Sequence, residues 1–223
     1  MTEPPALAKR IAAEALGSFF LFATVIGSGI MAANLSAGND AVALLGNTLA
    51  TGAILFVLIT MLGPISGAHM NPAVSLVAAS RRELSWPDAA AYIVAQLAFG
   101  ILGVWAAHAM FDLPVIQFSA KVRTGSGQWL GEAIATFGLV LTILGTVRHR
   151  QPWVPASVAL YIMAAYWFTS STSFANPAIT VARSLSDTFA GIAPGDAPMF
   201  IVAQLLGAGV AAVAAKLLFP PAA

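Results

Sequence analysis

The tripeptide Asn-Pro-Ala occurs twice, at Asn71-Pro72-Ala73 and at Asn176-Pro177-Ala178, each time after a small polar stretch and before a short apolar run. Proline directly after Asn suits the first position of a helix, because its missing N–H would be unpaired there anyway. Both tripeptides therefore predict helix starts. Both also lie among long apolar segments. A helix that begins at bilayer depth must aim its free N–H groups and positive dipole end at protein or at a water-filled cavity, since lipid offers no acceptor. Two such starts can meet and frame a pore; the alternative is a pair of ordinary surface N-caps.

Composition separates these readings. Apolar residues make up 59% of the chain and charged residues 9%, whereas a soluble domain carries about 25% charged residues. An integral membrane protein is expected. The 223 residues accommodate about six spans of roughly 20 residues with short loops, so one membrane domain over 1–223 is expected, with no separate soluble part. Ten Lys and Arg nearly balance nine Asp and Glu, and no basic stripe is present, which argues against a nucleic-acid partner. The absence of cysteine excludes disulfides, thiolate metal sites and a Cys nucleophile. No metal cluster, cofactor motif or nucleophile–base pair points to an enzyme. Met1 to Arg10 lacks the small-residue cleavage pattern of a signal peptide, so the first apolar run is expected to remain as a helix.

The spans are expected at about Arg10 to Leu35, Ala41 to Leu62, Pro87 to Phe111, Trp129 to Val147, Trp153 to Phe168 and Ala197 to Phe219. Gly63-Pro64 reads as a breaker ending the second. Asn71 to Arg81 and Asn176 to Ser186 are apolar but too short to cross, which predicts two re-entrant half-helices. The halves look like copies. Ala13-Glu14-Ala15 parallels Gly131-Glu132-Ala133, and Ile93-Val94-Ala95-Gln96-Leu97 recurs unchanged at Ile201 to Leu205. Repeat one is placed at about 8–111 and repeat two at about 129–219. Three spans per half is an odd number, so the second copy enters from the opposite side, an inverted repeat that builds sites at the midplane. Lys9, Arg10, Arg81, Arg82, Arg148, Arg150 and Lys216 fall on one side, against Lys121 and Arg123 on the other. The positive-inside rule then puts both termini in the cytoplasm. Trp86, Trp129 and Trp153 lie at span ends, where aromatic belts belong.

Six spans in two inverted halves, each with a half-helix opening on Asn-Pro-Ala, resemble the aquaporin, or major intrinsic protein, family over essentially the whole chain. The resemblance implies an all-α channel in which Asn71 and Asn176 meet at the pore centre and donate to passing molecules. Two amide donors and two converging positive helix ends favour oxygen acceptors and repel cations, hydronium included. Neutral solutes are the expected cargo, membrane lipid the surroundings, and a homotetramer with one pore per subunit the expected assembly.

Ordinary members of the family carry Arg three residues after the second Asn, where it narrows the outer filter. Here that position is Ile179. Counting without gaps to the other filter positions of the family gives Thr51, Ala164 and Ser173. All four are small or uncharged, which predicts a wider and more apolar ring than a water filter; Tyr166, Trp167, Phe168 and Phe174 are near enough to refill the gap. A branched aliphatic in place of that Arg resembles bacterial aquaporins associated with arsenic-resistance operons, and with them arsenite and methylated arsenicals. A bacterial inner membrane is the location this implies.

Four further residues carry polar chemistry into the apolar region. Glu14 and Glu132 are intramembrane acids, read as acceptors for exposed N–H groups of the pore loops in preference to a proton relay. His69 reads as a hydrogen-bonding loop residue in preference to a metal ligand, for no second ligand lies near it in sequence. Arg183, one helical turn beyond Ile179, either draws oxyanions to an outer vestibule or pairs with Asp187. The expected function is a passive channel for glycerol-like molecules and metalloid hydroxides, with some water. The alternatives are a water-selective aquaporin and, in another class, a secondary transporter, since inverted repeats and broken helices build those too. Gly100, Gly103, Gly207 and Gly209 are expected to let helices approach closely.

Overall fold

A computed structural model describes residues 5–219, so the outermost ends of the expected 1–223 domain, with the first residues of the Met1 to Arg10 stretch, lie outside the described residues. The chain forms α1 (Leu7–Leu35), α2 (Asp40–Ser66), α3 (Pro72–Ser80), α4 (Trp86–Met110), α5 (Ser126–Arg150), α6 (Val154–Phe168), α7 (Pro177–Arg183) and α8 (Ala197–Leu218), with a 3₁₀ turn, Gln151–Trp153, between α5 and α6. No strand occurs among the described residues. The helices α1, α2, α4 and α8 are each long and apolar enough to cross a bilayer, and so is the continuous stretch Ser126–Phe168 that holds α5 and α6. Its second part, α6, has 15 residues, about 22 Å at 1.5 Å per residue.

The two halves pack alike. Helix α1 lies against α4 and α2, while α5 lies against α8 and α6, and α2 meets α6 across the centre. The close approaches are made by glycine: a Cβ at Gly103 would sit 2.2 Å from the carbonyl oxygen of Phe19, and one at Gly207 the same distance from that of Ala133. Gly100 backs onto the Phe22 ring. Gly209 faces open space and plays no such part. Large apolar side chains such as Leu16, Val94, Leu130, Leu206 and Val213 are exposed on the outside, a surface that a bilayer, and not water, solvates. Trp86 and Trp153 are exposed at their helix ends. Trp129 instead turns inward onto the core.

Helix α2 does not stop at Gly63-Pro64. It runs through Pro64 to Ser66 and ends on Gly67, whose φ of 88° closes the last turn with its N–H on the Gly63 carbonyl. Membrane helices retain proline when neighbouring groups settle the freed backbone, so the breaker pair marks no end here. Both half-helices start where the tripeptides predict and are shorter than expected, finishing at Ser80 and Arg183.

Candidate solute pore

Each half-helix is capped by its own Asn. The Asn71 Oδ1 accepts from the Ala73 N–H at 2.9 Å, and the Asn176 Oδ1 accepts from Ala178 at 3.0 Å and Ile179 at 3.3 Å. The amide nitrogens then tie the halves together: Asn71 Nδ2 donates to the Ala175 carbonyl and Asn176 Nδ2 to the Met70 carbonyl, both at 2.8 Å. A primary amide has two N–H groups. One is used in this crossed pair, which leaves the second for another acceptor. Pro72, Ala73, Pro177 and Ala178 are buried behind the two Asn side chains.

The loops that carry these caps adopt a costly backbone. Gly67, Ala68 and Met70 in the first loop, and Thr172, Ser173 and Ala175 at the matching places in the second, have positive φ between 47° and 88°, where a non-glycine residue costs on the order of 1–3 kcal/mol. The compensation is a carboxylate. Glu14 accepts from the backbone N–H of His69 (2.9 Å) and Met70 (2.6 Å), from Ser66 Oγ and from Gln96 Nε2. Glu132 accepts from the N–H of Phe174 (2.8 Å) and Ala175 (2.9 Å) and from Gln204 Nε2. Both acids are fully buried. The glutamines complete the brace by donating to Ser75 and Thr180 on the half-helices. Gln96 and Gln204 are visible in the sequence only as marks of the repeat; their position opposite an intramembrane Glu is the signal that would have singled them out. His69 places Nδ1 3.1 Å from Ser75 Oγ and its ring edge-on to Tyr92, and no metal-binding group of three or more ligands occurs among the described residues.

A cavity of about 320 Å³ runs past both Asn side chains. Its walls are mainly aliphatic, with Arg81, Glu83 and Arg148 toward the α3 end and Arg183 at the last position of α7. Thr51, Ser173 and Ile179 line it. Ala164 does not: it is exposed on the outer face of α6. Val158, Ile162 and Tyr166 line the cavity instead, a series at i, i+4 and i+8 that keeps one helix face, and position 164 falls on the opposite face. Counting back from Asn176 fixes a chain distance, whereas helical phase fixes which way a side chain looks. Tyr166 and Phe174 also line the cavity, with the Tyr166 hydroxyl 3.3 Å from Thr51 Oγ1, while Trp167 and Phe168 point outward.

Arg183 does not pair with Asp187. Its Nε donates to the Ala190 carbonyl, its guanidinium carbon sits 3.3 Å from the Phe174 ring centroid, and Asp187 accepts from the Ala120 N–H. Arg123 comes in from the 111–125 connection, with Nε on the Gly191 carbonyl and Nη1 on that of Ser171. Its guanidinium lies 5.1 Å from the same ring. Lys121, outside the spans, donates to the Phe189 carbonyl. Burial first, then the neighbouring Arg123 and Arg183, pull its pKa down to about 8, so it gives up its charge as pH rises through that value.

Two half-helices meeting cap to cap along a continuous cavity inside a helical membrane bundle define a channel of the inverted-repeat kind. The profile of the family described as Major intrinsic protein matches residues 1–168. Aquaglyceroporin AqpS of Rhizobium meliloti is 58% identical over 216 residues, covering 97% of this chain and 92% of its own length. Aquaporin AqpM of Methanothermobacter thermautotrophicus is 30% identical, covering 93% and 96%. The crystal structure of the aquaglyceroporin from Plasmodium falciparum superposes with a TM-score of 0.77 over 96% of this chain and 98% of that one, at 19% identity, a likeness of fold. The chain belongs to the major intrinsic protein family. It is an integral membrane channel of aquaporin fold, and not an enzyme.

Proposed function

We propose that the protein conducts small neutral polyhydroxylated solutes down their gradients, glycerol-like molecules and metalloid hydroxides such as arsenite and methylated arsenicals, with some water. The observation that carries this reading is Ile179 on the cavity wall, at the place where the resemblance leads one to expect Arg. The free N–H of Asn71 and of Asn176 offers a donor pair to solute oxygens at the crossing of the half-helices, and the aliphatic walls suit the carbon face of a polyol. An aquaglyceroporin among the relatives supports the same solute class. Tyr166 and Phe174 narrow the ring and favour the water-selective alternative to that extent. A proton-coupled transporter is disfavoured because both intramembrane acids are engaged by backbone N–H groups and glutamine amides. The repeats are taken as about 8–111 and 129–219 within one domain, the assembly as a homotetramer with a pore in each subunit, and the membrane as the bacterial inner membrane.

Purified protein in liposomes, tested by stopped-flow light scattering with glycerol, by arsenite uptake and by osmotic water flow, decides among these solutes. Glycerol and arsenite permeabilities well above protein-free liposomes are expected; water flow alone would leave the water-selective reading. Orientation follows from the charge asymmetry. Reporter fusions after Arg82 and after Arg150 are expected to read cytoplasmic and one after Arg123 periplasmic, and a reversed pair would refute the assignment.

A further inference from the structure

We propose that Arg183 is the filter cation of this channel, displaced one turn outward along α7, so that charge exclusion and size selection act at two levels in series. The inference rests on reading the cavity as the solute path. Ile179 and Arg183 share a face of α7 at i and i+4, about 6 Å apart along the axis at 1.5 Å per residue, and both line the cavity. A single filter arginine narrows a pore and repels cations at the same height. Here the wall at 179 is aliphatic, and the charge stands beyond it.

The arginine is built in. Only 2% of it is exposed, its Nε is fixed by the Ala190 carbonyl, and its plane is held on Phe174, which clamps a side chain that would otherwise roam. Its charge meets no carboxylate: the ion pairs among the described residues are Arg10–Asp88 and Arg81–Glu83. Asp187 and Asp196 are engaged by the N–H groups of Ala120 and Arg123, and Glu132 by the second loop. Arg123 on the same ring adds a second cation to this level. Of the five guanidinium donors of Arg183, Nε alone has a protein acceptor among the described residues. The terminal nitrogens are left for a passing oxygen. The Arg183 guanidinium on the wall of a partly desolvated cavity, with the Arg123 guanidinium 5.1 Å from the same Phe174 ring, opposes hydronium and metal cations more strongly than it would in water, while neutral hydroxyl solutes meet only donors.

The test compares Arg183→Leu, Arg183→Gln and Arg183→Lys with the wild type in proteoliposomes, reading proton conductance from an internal pH dye and glycerol permeability from light scattering on the same preparations. Loss of the charge in Leu and Gln should raise the ratio of proton conductance to glycerol permeability about tenfold, and Lys should hold it near wild type. A merely structural arginine would lower glycerol flux and leave that ratio unmoved. Arg183→Gln retains an amide donor for the Ala190 carbonyl, so it carries the test if the Leu variant does not fold. An unchanged ratio in either folded neutral variant, or a Lys variant that leaks as they do, overturns the proposal. A wild type without glycerol flux would overturn the pore reading instead.

Discussion

Ile179→Arg is expected to lower glycerol permeability about tenfold or more, because pore diameter and lining polarity set which solutes pass, and to lower water permeability less. The substitution puts a planar cation where Thr51, Ser173 and the Tyr166 hydroxyl already crowd the wall. It removes the aliphatic surface that a polyol's carbon face would lean on. Water needs neither the width nor that surface. The same change adds a guanidinium to the cavity wall one turn from Arg183 and without an acid to meet it. Like charges at i and i+4 destabilise, so thermal unfolding is measured beside flux. A folded Ile179→Arg protein that passes glycerol at the wild-type rate would remove Ile179 from the constriction.

The second large effect is structural. Glu132→Ala leaves the buried N–H groups of Phe174 and Ala175 without their acceptor, at about 1–3 kcal/mol each, and leaves the Gln204 amide with Thr180 as its one remaining acceptor. The loop it releases contains the left-handed residues Thr172, Ser173 and Ala175, which have no reason to hold that backbone once the carboxylate is gone. Expression and thermal stability in detergent should collapse, and flux with them. Glu132→Gln offers one oxygen where two worked and should fall between. Glu14→Ala is expected to behave alike through His69 and Met70, and a variant of either acid as stable as wild type would contradict the bracing role.

Much of this architecture is legible in the sequence because its signals are chemical and local. Asn-Pro at a helix start is both a cap and a proline tolerated at N1, so the half-helix origins could be read to the residue. Hydropathy marked the crossing segments. The errors arise where local chemistry is silent about neighbours. Pro64 looked like a stop because its tolerance depends on the surrounding helices and on Gly67 farther on. Ala164 followed from a count, and the phase of α6 is set by which of its faces packs against the rest of the bundle. Arg123 lies far in sequence from Phe174 and was read only as a loop charge, although a cation in so charge-poor a chain was itself a clue. Gln96 and Gln204 belonged to the repeat before they belonged to the site.

The chain contains no cysteine, so a single thiol can report whether solutes travel along this cavity. Ser173 lines it and its hydroxyl is buried without a hydrogen-bond partner, so Ser173→Cys breaks no hydrogen bond of that hydroxyl. Ala164→Cys is the control on the outer face of α6. Glycerol flux of the two variants is measured with and without mercuric chloride, a small neutral thiol reagent. Flux through Ser173→Cys should drop to the level of protein-free liposomes and recover on adding a competing thiol, while Ala164→Cys and the wild type keep theirs. Block at Ala164→Cys with Ser173→Cys unaffected would contradict a solute path between Asn71 and Asn176.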